Sequence, residues 1–538
     1  MKAYFLTGLI SVLSLTAAMG QTATWGYKPI KLEEGLSQTL IKENKLYLVP
    51  NKAWDTDEVS EVAENLTSVT KRSYSSVRQD SKFGSEFDKK AGTLTITYQG
   101  KEIAIAKDLG HTHIGWSSVS NPGGGTISEG KDFGYSGKTV KSSLSEISDM
   151  PYSVNYDYYF FGDYMQVSLF QSPDKKNNLL VYRKKPASKN DKVNKDVYVF
   201  QQMDENFKLK NETEIQINYT ESEIFMNAFG ITNSGQVFYV AKYLASGEKS
   251  KSEEAPYVVK VGLVDVKGGK FGKEININTK GKWLRSISVT VEGNGMSINS
   301  LYSNSAKTAG LFIDGALSSK VDFENINASV ELNPFGGNIL HTWETSSSKY
   351  MGSQPRVYGI QSINLEKDGI TYVIAVSHTF TGAGDNAKTY TYSEGIVLLK
   401  TSLDGKKIFS TKINRQLSET GMPKAGNVFI HKYNNSYYLL YCIGKSQVNI
   451  DLNTEPERTY VKDGKFLIMC SKIDSQNGEM NTVAVSDELT SDQIPLFDEA
   501  QGSDDGKIYL IEAKNSEVYY YNFGSQLAKT LRLGVIKL

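Results

Sequence analysis

Short apolar runs, each introduced by a polar turn, recur along most of the chain. The run ITYVIAV at 370–376 follows the turn EKDG, and similar runs are NLLVYRK from 178, QVFYVAKY from 236, SYYLLYC from 436 and KIYLIEA from 507. Runs of this length bounded by Gly, Asn and Asp are typical of buried β-strands joined by tight turns. The pattern therefore predicts a series of antiparallel hairpins.

A second hairpin follows each of these runs. The copies include TLTITYQGKEIAIA from 93, VVKVGLVDVKGGKFGKEINI from 258, GIVLLKTSLDGKKIFSTKI from 395 and VYYYNFGSQLAKTLRLGVI from 518. We label the strands of the first hairpin A and B, and those of the second C and D. Seven such pairs of hairpins predict an all-β fold, a β-propeller with seven blades of four antiparallel strands. A pair of β-sandwiches or a β-solenoid is the alternative.

Both ends of the predicted domain have the character of strands. The segment TATWGYKPIKL begins at residue 22, and LRLGVIKL ends the chain at residue 538. A ring that stays open leaves strand edges exposed. We therefore expect the N-terminal strand to pair into the last blade and close the ring, with Trp25 and Tyr27 packed at this junction.

The long connections fall at equivalent places in the repeat. The longest are insertions at about 51–91, between strands B and C, and at about 108–160, between strands D and A; others are 333–355, 377–393 and 444–464. In a propeller, the B–C and D–A connections emerge on the same side of the disc. We call this side the long-loop face. Since loops on a rigid scaffold often carry function, we expect a ligand site there.

The first 20 residues, MKAYFLTGLISVLSLTAAMG, combine one Lys, an apolar run and small residues before Gln21. This pattern predicts a secretory signal peptide at 1–20, followed by a single β-propeller domain at 21–538. No later apolar run has the length needed to span a bilayer. The protein is therefore expected to be exported, either to the periplasm or out of the cell, without a transmembrane anchor after signal cleavage.

The charges balance, with 60 Lys and Arg against 60 Asp and Glu, and this argues against a nucleic-acid partner. The only two cysteines, Cys442 and Cys470, lie in neighbouring predicted strands of one blade. Export passes through an oxidising compartment, which permits a disulfide between them. Two buried thiols that act as small apolar residues are the favoured alternative, because a cross-strand bridge needs one particular pairing.

The richest predicted loop is DLGHTHIGWSSVS at 108–120. His111 and His113 are two residues apart, so on a strand they share one face, and with Asp108 they form a candidate site for a divalent metal. Trp116 in the same loop is a candidate for ligand binding. An ordinary strand edge with two surface imidazoles is the alternative reading of the His pair, because its spacing fixes no third ligand.

A second group of candidate binding residues lies in other loops of the long-loop face. His341 and Trp343 fall in the D–A connection at 333–355, Arg356 directly follows it, and His378 lies in the B–C connection at 377–393. An aromatic ring for stacking and a guanidinium for bidentate pairing suit a sugar or a carboxylate ligand. Unremarkable loop side chains are the alternative. The chain has no G-x-S-x-G elbow, and its many loop carboxylates single out no catalytic pair.

Residues 368–415 and 505–513 show the repeat most clearly, as a strand after Asp-Gly and a hairpin with the turn LDGKK. In this alternation the chain from about Lys31 onward resembles exported bacterial β-propeller proteins of uncharacterised type. The resemblance implies the propeller fold and no particular ligand, because propellers host enzymes, binders and scaffolds alike.

These observations favour an exported protein that binds a protein or glycan partner through its long-loop face. The alternative is a polysaccharide-active hydrolase or lyase that uses loop carboxylates or a metal held by the His pair. A purely structural component of the cell envelope is a third reading. The sequence leaves open whether the protein is an enzyme.

Overall fold

The computed structural model describes residues 22–33, 35–50, 57–73, 77, 83–88, 93–98, 101–107, 153–160, 163–184, 192–220, 223–244, 257–284, 287–304, 313–336, 357–366, 368–381, 389–420, 426–448, 456–461, 464–513 and 530–538. The predicted signal peptide at 1–20 lies outside these residues.

The strands that the structure describes form eight sheets, which we number in chain order. Sheet 1 contains Leu36–Lys42, Lys45–Pro50, Glu58–Val62 and Val69–Ser73; sheet 2 contains Phe83–Asp88, Thr93–Tyr98 and Lys101–Ala106; sheet 3 contains Ser153–Phe160, Asp163–Gln171, Asn177–Arg183, Val197–Asp204 and Leu209–Gln216; sheet 4 contains Ile224–Ile231, Val237–Leu244, Tyr257–Asp265 and Lys270–Ile277. Sheet 5 contains Trp283–Leu284, Ser288–Glu292, Gly295–Ser303, Gly315–Asp322 and Asn327–Pro334; sheet 6 contains Val357–Glu366, Gly369–Thr381, Thr389–Thr401, Lys407–Thr420 and Thr459–Tyr460; sheet 7 contains Val428–Tyr433, Ser436–Gly444, Phe466–Asp474 and Met480–Ala484. Sheet 8 contains Gln501–Ser503, Lys507–Ala513 and Thr530–Lys537, together with Thr24–Trp25 and Ile30–Lys31.

Within the described ranges the fold is nearly all-β, as predicted. Neighbouring strands of a sheet pair antiparallel in the described ranges, except that Thr459–Tyr460 on the edge of sheet 6 pairs parallel with Lys407–Thr420. The described residues include the short 3-10 helices Lys445–Gln447, Ser491–Gln493 and Phe497–Glu499, and Val77 is also helical. In this part of the chain no helix has the length and hydropathy to cross a membrane.

The core lies between neighbouring sheets. In sheet 6, Tyr372 and Ile374 pack toward sheet 5, while Val373 packs toward sheet 7. Successive residues of a strand point to opposite faces, so a strand between two sheets must be apolar on both. This explains the unbroken run ITYVIAV. Each sheet from sheet 2 to sheet 7 likewise shares a cluster of buried apolar residues with the next sheet along the chain. A further cluster joins sheet 8 to sheet 1. Repeated sheets packed in series are typical of a propeller-like fold.

Three junctions repeat the same contact between turns. The backbone N–H of Asp174 donates to the side-chain oxygen of Asn233 at 2.9 Å, and that of Ser234 donates to Asn294 at 2.9 Å. The N–H of Asp504 donates to Asn44 at 3.1 Å in the same way. These bonds link sheet 3 to sheet 4, sheet 4 to sheet 5, and sheet 8 to sheet 1. Their recurrence shows that these sheets follow one another in a similar arrangement.

The predicted pairing of the two chain ends is present. Thr24 and Trp25 pair with Val535 and Gly534, and Ile30–Lys31 pairs with the other end of the same C-terminal strand. The ring of Trp25 packs in the core between sheets 7 and 8. Tyr27, expected to be packed here as well, is instead 77% exposed, because it lies between the two short paired segments.

Two strand assignments differ from the sequence prediction. Lys45–Pro50 pairs with Glu58–Val62 inside the insertion at 51–91, so the hairpin at 93–106 belongs to another sheet, sheet 2. Thr530–Lys537 pairs directly with Lys507–Ala513, and it therefore takes the third position of its sheet rather than the fourth. The N-terminal segments occupy the fourth position. A tight turn predicts which strands form a hairpin, but a long connection leaves the next partner undetermined.

Candidate functional site

Sheet 6 is extended at the end that the sequence assigns to the long-loop face. Gly369–Thr381, Thr389–Thr401 and Lys407–Thr420 have 13, 13 and 14 residues. The strands of sheet 4 have 8 or 9 residues. The predicted loop at 377–393 is therefore largely strand, and only 382–388 lies outside the described residues. We call residues 377–381, 389–393, 417–420 and 459–460 the extension.

A bend separates the extension from the body of sheet 6. Val376 lies opposite Gly395, but the next residue, Ser377, lies opposite Ser393. Glu394 is therefore an extra residue in the middle strand, without a partner position on the strand Gly369–Thr381. On the next strand the partner of Ser393 is Leu417, whereas that of Gly395 is Asn414. Bulges of this kind bend a strand and re-aim the residues beyond them. The extension therefore projects at its own angle.

Arg415 lies at this bend and is fully buried. Its guanidinium donates to the backbone oxygen of Cys442 in sheet 7 at 3.2 Å and to that of Gly426. Burial lowers the pKa of Arg415 to about 10, so the guanidinium is still charged at neutral pH. The nearby carboxylate of Glu419 raises this pKa and so partly offsets the effect of burial. Glu419 itself accepts the backbone N–H of Gly426 at 3.0 Å. The bend is thus fixed to sheet 7 and to the following connection.

Gln447 fixes the outer edge of the extension. Its side-chain oxygen accepts the N–H of Gln416 at 3.2 Å, and its amide nitrogen donates to the oxygens of Gln416 at 2.6 Å and Glu457 at 2.5 Å. Through these bonds the segment at 456–461, which leaves sheet 7, is held as a short strand beside 417–418. An amide is suited to this role because it both donates and accepts.

One face of the extension presents aromatic rings and a guanidinium. Tyr392 lies opposite Ser418, which lies opposite Tyr460, so the three positions share a face of the sheet. The guanidinium of Arg458 stands over the ring of Tyr392, 4.6 Å from its centroid. The ring of Tyr460 is 62% exposed. We call Tyr392, Arg458 and Tyr460 the aromatic site.

Among the predicted binding residues, His378 falls in the extension. Its backbone lies directly opposite Tyr392, which places the position on the face of the aromatic site. Trp116, His341, Trp343 and Arg356 lie outside the described residues, as do the predicted metal ligands Asp108, His111 and His113. Within the described ranges no three His, Cys, Asp or Glu side chains are grouped to hold a metal ion.

Cys442 and Cys470 are free buried thiols, not a disulfide. Cys442 lies opposite Ile468 and Cys470 lies opposite Leu440, so the two thiols are diagonal neighbours. A bridge requires Cβ atoms about 4 Å apart, and diagonal positions are more widely separated. Burial raises the pKa of Cys470 to about 12 and also raises that of Cys442. Both thiols are therefore protonated and act as packing residues.

Tyr392 and Tyr460 were not singled out from the sequence. The available signal was the alternation TYTYS at 389–393, in which every second residue is aromatic. A strand with this pattern places its aromatic positions on one face. The signal was obscured because the segment was assigned to a loop.

A scan against protein-family models finds no match, and no curated protein matches. Solved structures with a similar arrangement include the cobalt-substituted apocarotenoid oxygenase of Synechocystis, with 12% identity over 62% of this chain and 60% of that chain and a TM-score of 0.26. A tryptophan variant of the same oxygenase has 11% identity over 87% of this chain and 93% of that chain, with a TM-score of 0.31. The polysaccharide lyase Uly1 has 11% identity over 73% and 91%, with a TM-score of 0.27. The chain spans about 60% of the first oxygenase structure, and at these scores the likeness assigns no function.

Proposed function

We propose that this chain is an exported binding protein that holds a glycan at the aromatic site. The observation that carries the proposal is the pairing of Arg458 with the Tyr392 ring beside the exposed ring of Tyr460. Tyrosine rings present a flat apolar surface to the C–H face of a sugar and a hydroxyl to its polar groups. A guanidinium supplies several donors in a fixed plane for ring and side-chain oxygens.

The anchoring of the extension supports this role. Arg415 and Gln447 are buried, and their hydrogen bonds join the extension to sheet 7 and to the segment at 456–461. A site whose elements are already ordered loses little conformational entropy when a ligand binds. A projecting, firmly anchored group of strands is therefore well suited to recognition.

The proposal includes a closed ring for the scaffold and export for the chain. Eight described sheets support a ring of eight blades, one more than the sequence predicted, in which sheet 2 contributes three strands. Apolar clusters fill seven junctions between sheets that follow one another, from sheets 2 and 3 to sheets 8 and 1. Sheet 8 contains strands from both ends of the described chain. The signal-like segment at 1–20 supports export.

Glycan-array binding tests the function. The wild-type protein is expected to bind a defined set of glycans, and Tyr460→Ala is expected to weaken that binding about five- to thirtyfold, since loss of one stacked ring costs about 1–2 kcal/mol. Tyr27→Ala is the matched control, because Tyr27 is similarly exposed but lies between the two N-terminal segments of sheet 8, outside the aromatic site. Equal binding by both variants, or capture of a protein with no glycan bound, would contradict the proposal.

A further inference from the structure

His431 is clamped at the junction of sheets 7 and 8. It lies in Val428–Tyr433, the first strand of sheet 7, and its ring packs on Gly502 in the first strand of sheet 8. A Cβ atom added to Gly502 would lie 2.1 Å from the Nδ1 atom of His431. The ring also stacks on Tyr433, with centroids 6.4 Å apart and an interplanar angle of 15°. The imidazole therefore has little room to move while the two sheets are in contact.

The polar surroundings of this ring suit the neutral imidazole. Its Nε2 atom is buried, and no described group forms a hydrogen bond with it. A hydrogen bond with the backbone of Ser503 satisfies the other side of the ring and acts in the opposite direction to burial, since it raises the pKa of His431. Protonation would place an N–H donor at Nε2 without an acceptor, which costs free energy in a buried position. The site thus discriminates against the charged ring.

The charges that face His431 only partly offset this cost. Asp504, in the adjacent turn of sheet 8, favours the protonated ring. Tyr438 lies opposite His431, and Lys472, which is exposed, lies opposite Tyr438 on the same face of sheet 7. Burial raises the pKa of Tyr438, which is therefore neutral. The balance lowers the pKa of His431, with burial as the largest cause.

We propose that His431 makes the junction between sheets 7 and 8 acid-sensitive, so that uptake of a proton by its imidazole separates the two sheets. An imidazole exposed by this opening has the ordinary pKa of about 6.5, higher than in the closed junction. The stabilising contribution of the neutral ring is therefore fully present above about pH 6.5 and is lost as the pH falls below it. Sheet 8 contains both ends of the described chain, so opening here loosens the contact between them.

Hydrogen exchange tests the proposal. In the wild-type protein, the protection factor of Lys507–Ala513, corrected for intrinsic exchange, is expected to fall several-fold between about pH 7.5 and about pH 5. In His431→Gln, whose side chain does not titrate, the protection of this strand is expected to stay constant over that range. The strand Gly295–Ser303 of sheet 5 is the internal control and is expected to keep its protection in both proteins. An equal fall in the variant, or no fall in the wild type, would overturn the proposal.

A second measurement covers the case in which His431→Gln does not fold. The chain contains five His residues, and NMR can follow the titration of all five imidazoles in the wild-type protein. One resonance is expected to titrate below the ordinary pKa of about 6.5 and to show exchange between open and closed forms. If all five titrate at or above that value, His431 is not held neutral by the junction and the proposal is wrong.

Discussion

Arg415 carries a full charge into a position with no exposed surface. Burying a charge is unfavourable unless its donors are used. Here the guanidinium donates to the backbone oxygens of Cys442, in sheet 7, and Gly426, in the connection that follows the extension. In the folded protein these hydrogen bonds replace the water around the guanidinium and hold the start of the extension in place.

Replacement of Arg415 by Ala is expected to reduce the free energy of unfolding by about 3 kcal/mol, because the buried backbone oxygens of Cys442 and Gly426 lose their donor and the buried Glu419 carboxylate loses a nearby positive charge. Urea denaturation measures the change. Arg72→Ala is the control, since Arg72 forms an exposed ion pair with Glu61 at 2.7 Å, and such pairs contribute at most about 1 kcal/mol. Equal losses in the two variants would show that Arg415 does not anchor the bend.

At the scale of single elements, the turns connect neighbouring sheets as well as consecutive strands. Asn233 illustrates both functions, because its own turn joins two strands of sheet 4 while its side chain accepts a bond from Asp174 of sheet 3. Asn44 and Asn294 accept corresponding bonds. Asn suits these turns because it tolerates positive φ and offers an acceptor, and Asn44 has a φ of 60°.

Asn233→Ala is expected to cost about 1 kcal/mol of stability, since the N–H of Asp174 loses its acceptor. Thermal denaturation measures the loss, and hydrogen exchange should localise it to the junction of sheets 3 and 4. Asn325→Ala provides a comparison, because the described hydrogen bonds of Asn325 all join it to Asp322 in the same turn. A loss in Asn325→Ala as large as that in Asn233→Ala would indicate that the contact between turns adds nothing.

For the whole molecule, sheet 8 is the element in which distant parts of the chain meet. Trp25 packs between sheets 7 and 8, and the guanidinium of Arg532 stands 5.2 Å from its ring centroid. Gly534 allows this approach, since a Cβ atom there would lie 2.8 Å from the ring. A short N-terminal strand can therefore stabilise the C-terminal strand strongly for its length.

Trp25→Ala is expected to lower the free energy of unfolding by about 2 kcal/mol, less than for a fully buried Trp, because the ring is only partly buried. Tyr27→Ala should change it by less than about 0.5 kcal/mol, since that side chain is exposed. Chemical denaturation of both variants makes the comparison. Similar values for the two would mean that the N-terminal strand does not hold sheet 8.

The sequence by itself determined the local features of this protein. Tight turns rich in Gly and Asn define the hairpins, and strands that are apolar on both faces, such as 370–376, must lie between two layers. The pairing of 24–31 with 530–537 is not local, and its prediction combined the strand character of both segments with the need to cover the strand edges of an open ring. The local features depend on residues that are close in sequence or on the solvent exposure of a strand, both of which leave a periodic pattern.

Only the tertiary structure decided which strands follow a long connection and where the register shifts. The pairing of Lys45–Pro50 with Glu58–Val62 and the bulge at Glu394 depend on contacts between segments that no local pattern relates. The aromatic site depends on the pairing of Thr459–Tyr460 with the edge of sheet 6, which places Arg458 beside the ring of Tyr392. Periodicity specifies the faces of a strand, whereas packing between sheets specifies its neighbours.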